Sequence, residues 1–322
     1  MLLIKKNNVN LFFGVASVFI VINVYVFSYL IDPYYSSGDP SLYRKVYEEL
    51  AELSILEGYK YYSTNLDSKE LIHFLFSWFF SNLGVDRSVF NASSSAVLAY
   101  VAILFFRQRD TSIIIIILII LTNLYFILLY TTTERLKFSL IFFGLSLLNR
   151  KKSFKFYILV FLAITSHVQI LIFYLAMFFC KAFREFPTFI IRKVVPKELL
   201  FIFLFSLLLL LISFEQITLK LSSYYEPRDL SELIKVFSLY VVALYYSKHK
   251  TDITIIYFPL FVAIFLLGGE RLNMFGYFIF LYFMLPIKKG FNLPVLASSV
   301  YFLYWSVNFV VSIIEDGVPA TF

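Results

Sequence analysis

Leu11 to Ile31 reads LFFGVASVFIVINVYVFSYLI, an uncharged apolar stretch long enough to cross a bilayer, and similar runs recur from end to end of the chain. Another is SIIIIILIILTNLYFILLY, from Ser112. In hydrocarbon the backbone has to satisfy its own hydrogen bonds, which leaves helices and closed barrels as the spanning structures. Strict apolar/polar alternation is missing, so helices are expected. Composition agrees, with 60% of the 322 residues hydrophobic and 20% aromatic, against about 45–50% apolar in a soluble domain. The expected fold is therefore all-α, a polytopic integral membrane protein. Lys5 and Lys6 precede the first run and no small-residue cleavage site follows it, so it is expected to remain as a first span with a cytoplasmic N-terminus.

Clusters of Lys and Arg mark cytoplasmic loops. Here they occur at Lys5-Lys6, Arg107 to Arg109, Arg150 to Lys155, Lys181 to Lys197, Lys248 to Lys250 and Lys288-Lys289. The segments between them face out: residues 32 to about 70, Thr131 to Arg135, Ser166 to Gln169, Glu215 to Asp229, Gly268 to Arg271 and the tail from Glu315. Leu71 to Leu83 is too short to cross, at roughly 20 Å of helix against about 30 Å of hydrocarbon, and is expected to be re-entrant or interfacial. Phe154 to Ser166 and Val168 to Phe179 read as two short limbs turning near His167. The expectation is about nine full spans (seven to eleven) in one transmembrane domain over residues 1–322. Its outer segment, 32–70, should contain an amphipathic helix.

Cys180 is the only cysteine, so no intrachain disulfide and no cysteine metal cluster is available. The net charge of +7, from 28 Lys and Arg against 21 Asp and Glu, is scattered over short loops. It reads as topology and contact with anionic membrane lipids rather than nucleic-acid binding. Gly-rich phosphate loops, His/Cys metal spacings and Gly-x-Ser-x-Gly elbows are missing from the sequence, and neither metal nor cofactor is expected. Chemistry would fall to a few polar residues at membrane depth, acting on a substrate held in the bilayer.

The stretches TTTERLKFSL and GGERLNMFGY each set a Glu-Arg pair, Glu134-Arg135 and Glu270-Arg271, at the mouth of an apolar run. Counting back from Arg150 and Lys288 places the arginines about 22 and 25 Å from the cytoplasmic side, and His167 about 18 Å from Lys155. All three fall short of the outer surface and converge on one level if their helices are neighbours. An arginine there either snorkels as an interfacial anchor or lines a wet outward cavity. His167 is either a core histidine or a proton carrier. Glu134 and Glu270 are expected to orient the arginines.

The outer segment reads YYSSGDPSLYRKVYEELAELSILEGYKYY. Asp39 sits in a Gly-Asp-Pro turn, Tyr43 and Tyr47 follow at helical spacing, and Glu57-Gly58-Tyr59 closes the stretch. In the outer loop SSYYEPRDL, the cluster of Tyr224, Tyr225, Glu226, Arg228 and Asp229 suits either stacking on sugar rings or an interfacial aromatic belt.

Taken together, Asp39 and Tyr43, Glu57-Gly58-Tyr59, Arg135, AITSHVQI around His167, and the late Arg271 resemble the EpsG and Wzy group of bacterial polysaccharide polymerases. The match is a spaced signature over most of the chain. It departs from the group's frequent Arg-Gln-x-x-Ala, since this chain reads Arg135-Leu136-Lys137-Phe138. The resemblance implies a GT-C-like architecture and a metal-independent glycosyltransferase of the bacterial inner membrane, working on the periplasmic face. It would polymerise undecaprenyl-diphosphate-linked oligosaccharide repeat units, with a chain-length regulator protein as a possible partner. Cationic side chains suit the charge left on a diphosphate, so Arg135 and Arg271 are the expected diphosphate-binding residues. His167 or Asp39 would take the proton of the attacking hydroxyl. Rival readings are a transporter or flippase of the same lipid-linked sugars and an O-antigen ligase-like transferase.

Overall fold

The computed structural model describes residues 2–149, 154–192, 230–267 and 270–318, with the side chains of 2–10, 185–192 and 266–270 left aside. Every regular element among the described residues is helical. The chain divides into two compact units, the first made of Met1–Ile170 and Lys289–Phe322 and the second of Leu171–Lys288.

In the first unit, α1 (Leu2–Ile31) is an apolar helix from Leu11 onward. It buries Ala16, Ile20, Val24 and Ile31 and exposes Phe12, Val15, Phe19, Ile22 and Val26 on the opposite side. α14 (Leu293–Asp316) behaves alike, with Val300 70% and Tyr304 64% exposed. Large side chains of this kind left open along whole helices suit a lipid-facing surface. α5 (Arg87–Gln108) packs on α1, α8 (Glu134–Leu148) on α5, and α9 (Phe154–Ser166) on α8. Gly144 lets α8 approach α5, since a Cβ there would lie 2.5 Å from Val101 Cγ1.

The basic loops gather at one end of this unit. Arg107 covers the Phe13 ring at 4.4 Å, the Ser112 amide donates to the Lys289 carbonyl at 3.0 Å, and Lys289 faces Asp110. At the other end the Ser36 amide donates to the Gly317 carbonyl at 3.1 Å. Gly317 ends α14 at φ +71°, and any Cβ there would meet Ser36 Oγ at 2.3 Å.

The run from Ser112 is not one straight span. It forms α6 (Ile113–Thr122) and α7 (Leu124–Thr131), bent by 55° at Asn123. Asn123 takes an extended conformation and caps α7 with its own side chain, accepting from the Tyr125 amide at 3.0 Å. Carbonyls freed by the break find partners inside the protein, Thr122 from Ser306 Oγ at 2.8 Å and Ile120 from Tyr130 Oη at 3.2 Å.

Leu71 to Leu83 forms the short helix α4 (Leu71–Asn82), which runs alongside α2 (Gly38–Leu50). Ser81 Oγ donates to the Tyr47 carbonyl, and Asn82 Nδ2 donates to the Leu50 carbonyl at 2.9 Å. The outer segment holds two helices where one was expected, α2 and α3 (Ile55–Asn65). Their apolar faces close on α4 through Tyr43, Val46, Leu50, Tyr62, Leu66 and Phe74. The three short helices thus share one core, and the 32–70 segment is packed on protein through this face.

In the second unit, α10 (Leu171–Arg192) packs on α12 (Lys250–Leu267), and α11 (Leu230–Tyr246) packs on α12 and α13 (Glu270–Met284). Tyr257 donates to the Gly276 carbonyl at 2.9 Å, and Glu232 accepts from Asn273.

Three helical stretches are long and apolar enough to cross a membrane, Leu11–Tyr34, Arg87–Gln108 and Ile287–Asp316, with the bent α6–α7 pair as a fourth. The expected count of about nine is not reached among the described residues. Breaks at Asn123 and His167 shorten several apolar runs, and residues 193–229 lie outside the described residues.

Gly144→Ala should destabilise the first unit by ~1–3 kcal/mol through overpacking on Val101, and Val101→Ala added to it should restore most of the loss. Thermal unfolding in detergent checks this, and an unchanged Tm for Gly144→Ala would refute the close approach.

Candidate functional site

The end of the first unit away from Arg107 and Lys289 assembles charges from α2, α4, α5 and α8, together with Asp32 and His167. α5 places Arg87, Asn91 and Ser95 at i, i+4 and i+8, on one face of an otherwise apolar helix. α8 opens with Glu134 and Arg135 and carries Lys137. α4 supplies Glu70 at its start and His73 one turn on. His167 stands in the break between α9 and the short turn Val168–Ile170.

A deep layer is almost closed to solvent. Asp32, 1% exposed, faces Arg87 Nη1 at 3.3 Å and accepts from Ser88 Oγ at 2.9 Å, and Arg44 reaches it from the rim. The other end of the Arg87 guanidinium lies 3.0 Å from Glu134, whose second oxygen is 3.8 Å from His73 Nε2. His73 Nδ1 is 2.8 Å from Tyr62 Oη. Lys137, fully buried, is held by the Asn91 side chain and carbonyl and by Ser95 Oγ at 3.1 Å.

A shallower layer lies above it. Glu70 divides its carboxylate, one oxygen on His167 Nδ1 and the other 3.1 Å from Arg135 Nη1 and 2.9 Å from Ser68 Oγ. Arg135 Nε donates to Tyr43 Oη at 2.8 Å, with the guanidinium 5.7 Å from the Tyr43 ring centre. Both layers are thus arginine, glutamate and histidine in the same order: Arg87–Glu134–His73 below, Arg135–Glu70–His167 above. The upper one is the more open, with Arg135 17% and Glu70 14% exposed.

His167 Nε2 is 3.1 Å from Gln169 Oε1. An imidazole donating from both nitrogens is the cation. As a neutral base it keeps the proton on Nδ1 towards Glu70 and offers Nε2, with Gln169 turning its amide to donate. Burial alone would raise the Glu70 carboxyl, but the His167 and Arg135 charges against it hold it at about 2.

The structure brings Arg135 and His167 together through Glu70, which the sequence reading did not single out, with Tyr43 bonded to Arg135; Arg271, expected at the same level, is in the second unit. Glu134 does not orient Arg135. Adjacent residues on a helix point about 100° apart, so Glu134 turns to Arg87 and His73 while Arg135 turns to Glu70. Asp39 is half-buried in the first turn of α2, one turn before Tyr43. Glu57 is exposed and forms a capping box with Ser54 at the start of α3, which lowers its carboxyl. The Glu57-Gly58-Tyr59 stretch continues as packing, because a Cβ on Gly58 would meet Trp78 at 3.1 Å and Tyr59 lies edge-on to Phe74. Arg271 is half-buried in the first turn of α13, in the second unit. Glu270 opens that helix, but its side chain is outside the description, and Tyr224, Tyr225 and Arg228 lie outside the described residues.

Asp32, Glu70, His73, Arg87, Asn91 and Lys137 are what the sequence reading missed. A signal existed for the helical ones: polar residues four apart on α5, and three apart in Glu70/His73 and Glu134/Lys137, mark one face of an apolar helix. Asp32 and its partners Arg87, Ser88 and Asn91, 55, 56 and 59 residues away, share no such pattern.

No protein-family model matches this chain, no characterised protein matches it in sequence, and no solved structure matches it in fold.

Arg87→Ala leaves Asp32 and Glu134 buried beside the lost cation and should cost ~3–5 kcal/mol. Adding Glu134→Gln should recover part of it by removing one bare charge, and thermal unfolding of the purified variants measures both. The Glu70 carboxyl, lowered from an ordinary 4.5 to about 2, adds stability that is complete above about pH 4.5 and is lost as pH falls towards 2. Glu70→Gln should therefore flatten the acid limb of the unfolding curve in that window, and an unaltered limb would contradict the bridge.

Proposed function

We propose that this chain is a membrane glycosyltransferase that joins lipid-diphosphate-linked oligosaccharide repeat units on the outer face of a bacterial inner membrane. The apolar helices are compatible with a membrane-embedded protein. The observation that carries the reading is the Glu70 bridge, which sets a guanidinium and an imidazole side by side at the more open layer of a buried charge cluster.

In the reaction the bond between the anomeric carbon and the diphosphate oxygen breaks, and a bond from that carbon to an acceptor hydroxyl oxygen forms. Arg135 lies against the departing diphosphate, its charge offsetting what develops there. Guanidinium suits this better than ammonium because it grips two phosphate oxygens in one plane and stays charged when partly buried. His167 Nε2 receives the hydroxyl proton, and Glu70 at Nδ1 steadies the imidazolium formed. Tyr43, bonded to Arg135 Nε, fixes the direction of the guanidinium. Asp39 is the alternative base. A chain-length regulator belongs to this reading as a partner.

A transport reading draws on one observation of its own, the break at Asn123 in an apolar helix. Broken helices line substrate sites in transporters.

Purified protein incubated with one lipid-linked repeat unit and excess EDTA should give a ladder of longer chains. Movement of that lipid between leaflets without lengthening would decide for transport. Arg135→Ala and Arg271→Ala should each lower polymerisation by on the order of 100-fold or more while the protein still inserts. Arg135→Lys should rescue poorly. Wild-type polymer from either alanine variant removes that residue from diphosphate binding. His167→Gln against Asp39→Asn identifies the base.

A further inference from the structure

Glu70 is one carboxylate serving two groups that the proposed reaction uses for different ends. Its Oε1 faces His167 Nδ1, and its Oε2 faces Arg135 Nη1 at 3.1 Å with Ser68 Oγ on the same oxygen. Arg135 is also tied to Tyr43. A diphosphate arriving at Arg135 competes with Glu70 for the same guanidinium donors. In a partly desolvated site that competition is strong, because charges a few ångströms apart interact far more than in water.

We infer that Glu70 is a positioning residue that couples anion binding at Arg135 to the basicity of His167. With Arg135 unoccupied, Glu70 is shared and His167 has half of its attention. When a diphosphate takes Arg135, the Glu70 carboxylate turns wholly to His167 Nδ1, and the imidazole binds a proton at Nε2 more tightly. The base is strongest when the leaving group is in place, which discourages attack by water on an empty site. This rests on the reading of Arg135 as a diphosphate ligand.

The other groups around the bridge are few. On α2 and α3 they are Tyr43 and Tyr62, on α4 His73, and at the foot of α8 Glu134, one layer deeper. Gln169 lies at His167 Nε2, and Ser139 of α8 donates to the His167 carbonyl at 3.5 Å. Glu134 is engaged by Arg87, so Glu70 is the carboxylate in contact with His167.

The test is a histidine NMR titration of the full chain in detergent, with inorganic pyrophosphate as the probe. The chain has three histidines, and the His167 signal is the one missing in His167→Gln. Pyrophosphate should move the His167 midpoint up by roughly one pH unit in the wild type. In Glu70→Gln the move should shrink to less than half. If Glu70→Gln does not fold, Glu70→Asp replaces it: the charge stays, but a side chain one methylene shorter cannot bridge both partners, and the move should shrink likewise. No movement in the wild type, or a movement of equal size in the Glu70 variant, overturns the coupling. In turnover, Glu70→Gln should lower kcat about tenfold or more with KM unchanged or lower; a raised KM at wild-type kcat also overturns it. The titration needs no turnover, so a missing ladder from wild-type protein removes the polymerase reading and leaves the titration to decide the coupling.

Discussion

The Arg87 guanidinium lies between two buried carboxylates, Asp32 at the end of α1 and Glu134 at the start of α8. Removing the guanidinium would leave both carboxylates buried without their shared cation, so the ends of α1, α5 and α8 are held at one level. The upper layer is built on this anchor. Glu134 turned inward to Arg87 means that Arg135, one residue on, turns the other way and meets Glu70 on α4.

The short outer helices are part of the same economy. α4 is only 12 residues long, yet it contributes one member to each layer, Glu70 above and His73 below. Its apolar face is held by Tyr43, Val46, Leu50 and Tyr62, and Trp78 Nε1 donates to the Leu53 carbonyl at 2.9 Å. Asp86 caps α5 immediately after α4 through the Ser88 and Val89 amides. A small packed lid of three helices thereby positions ionisable groups that its own length could never bury alone.

Two layers of the same composition perform different tasks because of their exposure. The lower one is closed to solvent and its charges face one another: Glu134 lies against Arg87 and His73, His73 against Tyr62, and Lys137 against Asn91 and Ser95. It suits structure. The upper one has a guanidinium at its more open side and an imidazole whose Nε2 faces the Gln169 side chain, the groups that the proposed reaction would use. Charged groups placed so near a lipid-accessible level are expensive and need a reason, which the proposed chemistry supplies.

Helical class, the shortness of the helix at Leu71 and the charges of Arg135 and His167 inside apolar stretches were legible in the sequence. Each depends on local chemistry: an apolar run either has the length to cross or lacks it, and a charge inside such a run stands out. The bend at Asn123 was not legible, since asparagine in an apolar stretch signals a break only when partners such as Ser306 and Tyr130 wait for the freed carbonyls. Nor were the ion pairs. Sequence adjacency suggested Glu134 with Arg135, but helical geometry sends neighbours in different directions, and the partners come from far along the chain, Arg87 55 residues from Asp32 and His167 97 from Glu70. Which residues are charged, and which apolar runs they interrupt, was determined by the sequence alone. Which carboxylate neutralises which cation was decided only by the packing of α1, α4, α5 and α8, because pairing across helices depends on distances that no local pattern encodes.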